Sequence, residues 1–201
     1  MKRISLFLLA AITICSLAFL LPTSIPIGSP MPKADVKMKD ISGRDISLRE
    51  AQDKNGTLVI FSCNTCPFVI KNEKRIREIG AYARQSGVGV ILVNSNEANR
   101  RDEESYDAMK KYAAEQQYNW YYVVDQNNEV ADAFDAKRTP ECFLFDSKAN
   151  LVYHGAIDDN PADAAAVNRQ HLKEAINELS AGKDISVKES RSVGCSIKRK
   201  S

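Results

Sequence analysis

Leu58-Val59-Ile60-Phe61-Ser62-Cys63-Asn64-Thr65-Cys66-Pro67-Phe68 joins two segments of different physical character. The four apolar residues at its head form a continuous run, the pattern of a strand buried on both faces. From Phe68 onward, Lys, Glu and Arg interleave with Val69, Ile76, Ile79 and Ala83, apolar positions near helical spacing. The cysteines therefore stand where a strand hands over to a helix. A helix N-terminus carries unsatisfied N–H groups and the positive end of the dipole. A thiolate placed there is stabilised, so a Cys-x-x-Cys pair at this junction has the context of a redox motif. Pro67 fits the first helical turn, where its missing N–H would be unpaired anyway. Zinc sites and structural disulfides use the same spacing, and the strand-to-helix placement favours redox chemistry over both.

Upstream of this stretch, Val36–Leu48 predicts two short extended pieces around Ser42-Gly43, and Asn55-Gly56 predicts a turn. Thr57–Phe61 is the first buried strand. Downstream, the first helix runs about five turns to a left-handed cap at Gly87. Val88–Val93 is the next strand, and Asp102 or Ser105 caps a second helix with Tyr106, Met109 and Ala113 inward. Tyr121–Val124 is a third strand; Val130, Ala133 and Phe134 mark a short helix. Cys142–Phe145 and Leu151–His154 close as a hairpin about the turn Ser147–Asn150. The last helix carries Leu172, Ala175, Ile176 and Leu179 on one face. It opens at Asn160-Pro161 or nearer Asn168 and ends before Gly182. The order β-α-β-α-β-α-β-β-α predicts an α/β fold, a mixed central sheet flanked by helices, with the closing hairpin as an antiparallel edge.

At 201 residues, 44% hydrophobic and 27% charged, the chain has the composition of one ordinary globular domain with added segments. A net charge of +2 gives no ground for nucleic-acid binding. Lys2-Arg3 followed by the uncharged stretch Ile4–Leu21 read as a signal peptide or N-terminal membrane anchor, residues 1–21, just long enough to span a bilayer. Ser16-Leu17-Ala18 is the one tidy cleavage triplet, and Ile14 before Cys15 is too bulky for a lipidation box. Pro22, Pro26, Pro30 and Pro32 make residues 22–34 an extended linker. The folded domain is expected over 35–182. Residues 183–201 are expected as a basic tail, six Lys/Arg against two acids, that carries Cys195. Such a leader implies export to the cell envelope, periplasmic or anchored facing outside the cytoplasm, where disulfides persist.

Arg138-Thr139-Pro140 precedes the fourth main strand, and a proline at a strand start marks an edge or a bulge. A cis bond there would set backbone polar groups beside the cysteines, where a substrate chain could pair. Cys195 lies in a tail that is flexible by composition. It is a candidate to resolve a sulfenic acid or mixed disulfide at the pair, against the plainer reading of a thiol packed on the domain. Cys142 falls inside an apolar strand and reads as a buried structural thiol. His154 reads as a satisfied surface residue and His171 as solvated. With two histidines and no second Cys-x-x-Cys, neither a metal site nor a cofactor is expected.

The element order, the Cys-x-x-Cys after the first buried strand and Thr139-Pro140 before the fourth resemble the thioredoxin superfamily. More narrowly, five stretches resemble its peroxiredoxin-like redoxin branch, the alkyl hydroperoxide reductase/thiol-specific antioxidant group. They are Phe61–Phe68, Val93-Asn94-Ser95-Asn96, Thr139-Pro140-Glu141, Leu151–Asp159 and Gly194-Cys195-Ser196-Ile197-Lys198. The resemblance spans about residues 35–199. It implies a thioredoxin-like fold, a cis-proline at Pro140, a catalytic pair Cys63 and Cys66, and substrate positioning by Thr139 and Pro140. On the pattern of thioredoxin-like oxidoreductases Cys63 attacks and Cys66 resolves. On the peroxiredoxin pattern Cys66 is peroxidatic, with Cys63 or Cys195 resolving. The sequence departs from both, with Ser62, Asn64 and Thr65 in place of the thioredoxin wording and Val59 where peroxiredoxins carry a proline. Three readings stand: an exported thiol–disulfide oxidoreductase using Cys63-x-x-Cys66, a thiol-dependent peroxidase with Cys66 peroxidatic, and a non-catalytic binding module of the same fold. The first two need a protein-disulfide or peroxide substrate and a thiol electron donor. None needs nucleic acid, and residues 4–21 could tether any of them to a membrane.

Overall fold

The computed structural model describes residues 24–200, so the segment expected as a signal or anchor, 1–21, lies outside the described residues. The first half comprises β1 (Met38–Asp40), β2 (Asp45–Ile46), β3 (Gly56–Phe61), α1 (Pro67–Gln85), β4 (Val88–Asn94), α2 (Tyr106–Glu115) and β5 (Tyr121–Val124). The second comprises α3 (Glu129–Ala133), β6 (Arg138–Thr139), β7 (Glu141–Phe145), β8 (Leu151–Gly155), α4 (His171–Ser180) and β9 (Cys195–Ser196). Seven strands form one mixed sheet in the order β2-β1-β5-β4-β3-β7-β8, while β6 and β9 pair separately. The apolar run at Leu58 becomes β3, parallel to β4 on one side and antiparallel to β7 on the other. This is a thioredoxin-like arrangement, as the element order predicted. The antiparallel edge expected from the closing hairpin is β7–β8, and β1–β2 forms a second one.

Strand periodicity divides the core. Leu58 and Ile60 pack with Val69, Ile76 and Ile79 of α1, Met109 of α2 and Leu172 and Ile176 of α4. Val59 and Phe61 pack on the opposite face with Phe143, Phe145 and Val130 of α3. Each fully buried Leu, Ile or Phe contributes about 1.5–3 kcal/mol, so the two-sided sheet is what fixes the frame. α1 ends where the chain needs a left-handed residue: Gly87 has φ +70° and donates to Arg84 O at 3.0 Å.

Three segments differ from the sequence expectation. Residues 24–34, expected as linker, lie along β8. Gly28 N donates to Leu151 O at 2.8 Å, Leu151 N to Ser29 O at 2.9 Å, and Met31 and Ala34 are buried. Prolines forbid helix there but leave the intervening N–H groups free to pair at a sheet edge. The last helix starts at His171, just past the later of the two expected openings, Asn168, and not at Asn160, because the carbonyls of Asn160 and Pro161 are taken by the Arg75 guanidinium at 2.8 and 3.1 Å. The C-terminal tail, flexible by composition, is docked: Ser190 N donates to His154 O at 3.0 Å, and β9 pairs antiparallel with β6.

Candidate active site

β3 ends at Phe61, and the chain leaves the sheet at Ser62, whose N–H still donates to Val93 O at 3.0 Å. Cys63-Asn64-Thr65 then turn into α1, with Cys66 as N-cap and Pro67 in the first turn. Both cysteines are thiols here, and both face Thr139. Cys63 Sγ lies 3.4 Å from Thr139 Oγ1, and Cys66 Sγ lies 3.2 Å from Thr139 O. The Thr139–Pro140 bond is cis. The fold thus brings together Cys63, Cys66, Thr139 and Pro140 from segments some 76 residues apart.

The turn is held by a residue that sequence reasoning missed. Glu104 is 0% exposed, and its carboxylate accepts from Asn64 N at 3.0 Å, Thr65 Oγ1 at 2.9 Å and Asn94 Nδ2 at 2.6 Å, with Thr65 N at 3.3 Å. A buried carboxylate is tolerated only when its lone pairs are filled in this way. Tyr122 donates its hydroxyl to Asn64 Oδ1 at 2.9 Å, so the turn is fixed on both flanks. Glu104 closes the charged run Arg100–Glu104, and nothing in that run marks one acid for the interior. The Val93-Asn94-Ser95-Asn96 motif did carry a signal: Asn94 joins Glu104 to the sheet, and Asn96 Oδ1 accepts from Lys198 N at 2.9 Å.

The electrostatics separate the two sulfurs. The Cys63 thiol, aimed at Cys66, is the largest influence holding Cys66 below its ordinary value, and burial opposes it. The Cys195 thiol, Thr139 and the Val69 N–H in the first turn add to the lowering, the last without closing a formal capping bond. Cys63 moves the other way, first because its proton serves Cys66, then because it is buried and lies near the Glu104 carboxylate. The surroundings therefore favour the ionised form at Cys66, at the helix head, over Cys63; both residues are buried, 4% and 0% exposed.

Cys195, opposite Thr139 in the β6–β9 pair, brings a third thiol into hydrogen-bonding reach of Cys66. Cys142 is buried in β7 and takes no part. His154, expected at the surface, is buried: it stacks on Phe143 at 4.4 Å and bonds Glu141 at 2.8 Å through Nε2. Glu141 in turn accepts from Lys137 N and Arg138 N at 2.8 and 2.9 Å, so this pair shapes the turn into β6. Two clefts among the described residues, about 550 and about 520 Å³, are lined by no cysteine. Among the described residues no group of three His, Cys, Asp or Glu side chains could hold a metal ion.

The Redoxin family model matches residues 26–170, more than half of the chain and including Cys63, Cys66, Thr139 and Pro140. The chain belongs to the Redoxin family. Solved structures similar to this redoxin include an uncharacterized conserved protein from Geobacillus kaustophilus, 32% identical with a TM-score of 0.81, the match covering 88% of this chain and 95% of that one. Another is a hypothetical protein from Sinorhizobium meliloti 1021, 31% identical with a TM-score of 0.79, covering 89% and 98%. A peroxidoxin from Mycobacterium tuberculosis shares the fold at 14% identity and a TM-score of 0.51, covering 78% and 96%. No curated protein matches the sequence. As a redoxin the chain is a thiol oxidoreductase or thiol peroxidase.

Proposed function

We propose that this redoxin is an exported thiol–disulfide oxidoreductase in which Cys66 attacks and Cys63 resolves, the reverse of the thioredoxin-like order. The observation that carries this reading is the place of Cys66 Sγ at the head of α1, where the Cys63 thiol favours its ionised form. The Cys66 thiolate attacks one sulfur of a disulfide; that S–S bond breaks and the leaving sulfur departs as a thiolate that takes up a proton. Cys63 then gives up its proton, attacks Cys66 Sγ and expels the remaining substrate sulfur, leaving a Cys63–Cys66 bond. Two electrons have passed to the substrate, and an external thiol donor restores the dithiol. Thr139 and Pro140 position the incoming sulfur, since Thr139 touches both cysteines. Export rests on Lys2-Arg3 and the uncharged 4–21 segment, with residues 1–21 as leader or anchor. The catalytic unit takes in residues 24–200, since both the expected linker and the tail pack on the 35–182 domain.

The same sulfurs fit hydroperoxide reduction, and the small exposure of Cys66 favours a small oxidant. There Cys66 becomes a sulfenic acid as the peroxide leaves as alcohol or water, and Cys63 displaces water to form the same disulfide. Both versions share one test. Pre-reduced wild type, Cys63→Ser and Cys66→Ser are mixed with glutathione disulfide or hydrogen peroxide, and adducts are mapped by peptide mass spectrometry. Cys63→Ser is expected to retain glutathione or a sulfenic acid on Cys66, and Cys66→Ser to stay unmodified at Cys63. An adduct on Cys63 of Cys66→Ser, formed as fast as wild type oxidises, overturns the order. No reaction of wild type with either oxidant leaves the non-catalytic binding module.

A further inference from the structure

We infer that the C-terminal strand β9 is a built-in occupant of the substrate groove, a gate that bars polypeptide disulfides from Cys66 and reserves it for low-molecular-weight disulfides and hydroperoxides. The inference rests on Cys66 as the attacking sulfur and adds its substrate class. β6 runs straight into the cis Thr139–Pro140 bond beside both catalytic sulfurs. A polypeptide bringing a disulfide to Cys66 would most readily add as a strand along that edge, because main-chain pairing supplies affinity without a specific sequence. In this chain the edge is taken. Arg138 pairs with Ser196 and Thr139 with Cys195, in antiparallel register. Cys195 therefore sits opposite Thr139, whose carbonyl Cys66 Sγ touches at 3.2 Å, in the register a substrate cysteine would take.

The docking is built into the sequence rather than incidental. Gly194 lies against the groove so closely that a Cβ there would fall 2.2 Å from Thr139 O. Any side chain at 194 would push the strand off its partner. Ile197 is buried in the apolar cluster that holds Phe61 and Phe134, and its N–H donates to Lys137 O at 3.0 Å. Lys198 N donates to Asn96 Oδ1 at 2.9 Å, and its carbonyl accepts from Ala98 N at 2.9 Å. Arg199 reaches Asp132 at 2.7 Å and Ala136 O at 2.8 Å, while Arg138 Nη1 donates to Gly194 O at 3.2 Å. The Arg199–Asp132 pair is solvent-facing and contributes little, so Ile197 is the anchor. With β9 in place an incoming chain finds no free edge at 138–139, and a small oxidant needs none.

The test compares rates of oxidation of the reduced protein by insulin and by glutathione disulfide. Wild type is set against Gly194→Val, which blocks the close approach, and Ile197→Asp, which removes the anchor. A chain ending at Ser192 removes the strand outright. These forms act on different contacts, so misfolding of one leaves the others to decide. Hydrogen exchange of the 195–199 amides reports docking in each. In wild type those amides are expected to be protected and insulin to react slowly. In a released form the insulin-to-glutathione rate ratio is expected to rise at least about tenfold, since loss of the Cys195 contact with Cys66 acts on both rates alike and leaves the ratio to report the gate. An unchanged ratio in a released or truncated form, or unprotected tail amides in wild type, overturns the gate. If neither glutathione disulfide nor hydrogen peroxide oxidises any form, the Cys66 reading falls and the gate falls with it, a result distinct from an unchanged ratio.

Discussion

The surroundings of Cys63 and Cys66 shift the two thiols in opposite directions, upward for Cys63 and downward for Cys66, and that has a consequence for stability. Both thiols have an ordinary value of 9.0. Below it the unfolded chain keeps both protons, while the folded chain releases that of Cys66. Folding then gives up a proton, so the reduced protein gains stability as pH rises toward about 9 and loses this contribution as pH falls through the lowered value of Cys66. Above 9.0 the unfolded chain loses both protons while Cys63, shifted upward, keeps its own, and stability declines again. The urea midpoint of the reduced protein is expected to climb between about pH 6 and 8, where carboxylates no longer titrate, and the climb is expected to vanish in Cys66→Ser. A slope that survives the substitution would put the thiolate elsewhere. Glu104 supports the same pair through the turn. Glu104→Ala leaves the Asn64 and Thr65 N–H groups and Asn94 Nδ2 without their buried acceptor. A loss of about 3 kcal/mol or more is expected from equilibrium unfolding, with no change in m-value.

At the scale of elements, α1 carries the catalytic turn at its head and a clamp at its middle. Arg75 grips Asp158 at 2.6 Å with side chains 10% and 4% exposed, and it also takes the carbonyls of Asn160 and Pro161. Arg75→Met keeps the aliphatic stem but leaves Asp158 buried and unpaired, which is expected to cost about 3–5 kcal/mol. Limited proteolysis between Pro161 and Gln170 is expected to speed up before global unfolding does. Equal protection of that segment in both proteins would show that the clamp holds nothing. Elements of this kind were unevenly legible. β3, β4, β5 and β7 announce themselves because burial on both faces demands continuous apolar runs, and α1 because one face alternates with charge. β6 and β9 are two residues each, pairing Arg138 with Ser196 and Thr139 with Cys195 across the chain, so no periodicity exists to be read. The cysteine pair was visible for its spacing. The opposite electrostatic settings of the two sulfurs were not, since they depend on Glu104 and Thr139, which only the fold brings to them.

At the scale of the molecule, two cores share one sheet, and the N-terminal stretch and the tail both close over its β8 edge. Cys142 lies in β7, between β3 and β8, and is buried in the helix-covered core. Burial first, then the Glu141 and Asp158 charges, push its thiol above the ordinary value. Cys66 can react from the native state, whereas Cys142 must wait for the sheet to open, so one molecule carries two reporters of different motions. In the reduced protein, alkylation of Cys66 is expected to be fast and nearly independent of low urea. Alkylation of Cys142 is expected to be slower by about 10³-fold or more, the factor set by a domain stability of about 5–15 kcal/mol. Its rate is expected to rise with urea along the slope of global unfolding. A Cys142 rate that ignores urea would mean that β7 and β8 open locally. The sheet would then be divided at the strand that ties the cis-proline segment to the cysteines, and the catalytic geometry would be the first structure lost on warming rather than the last.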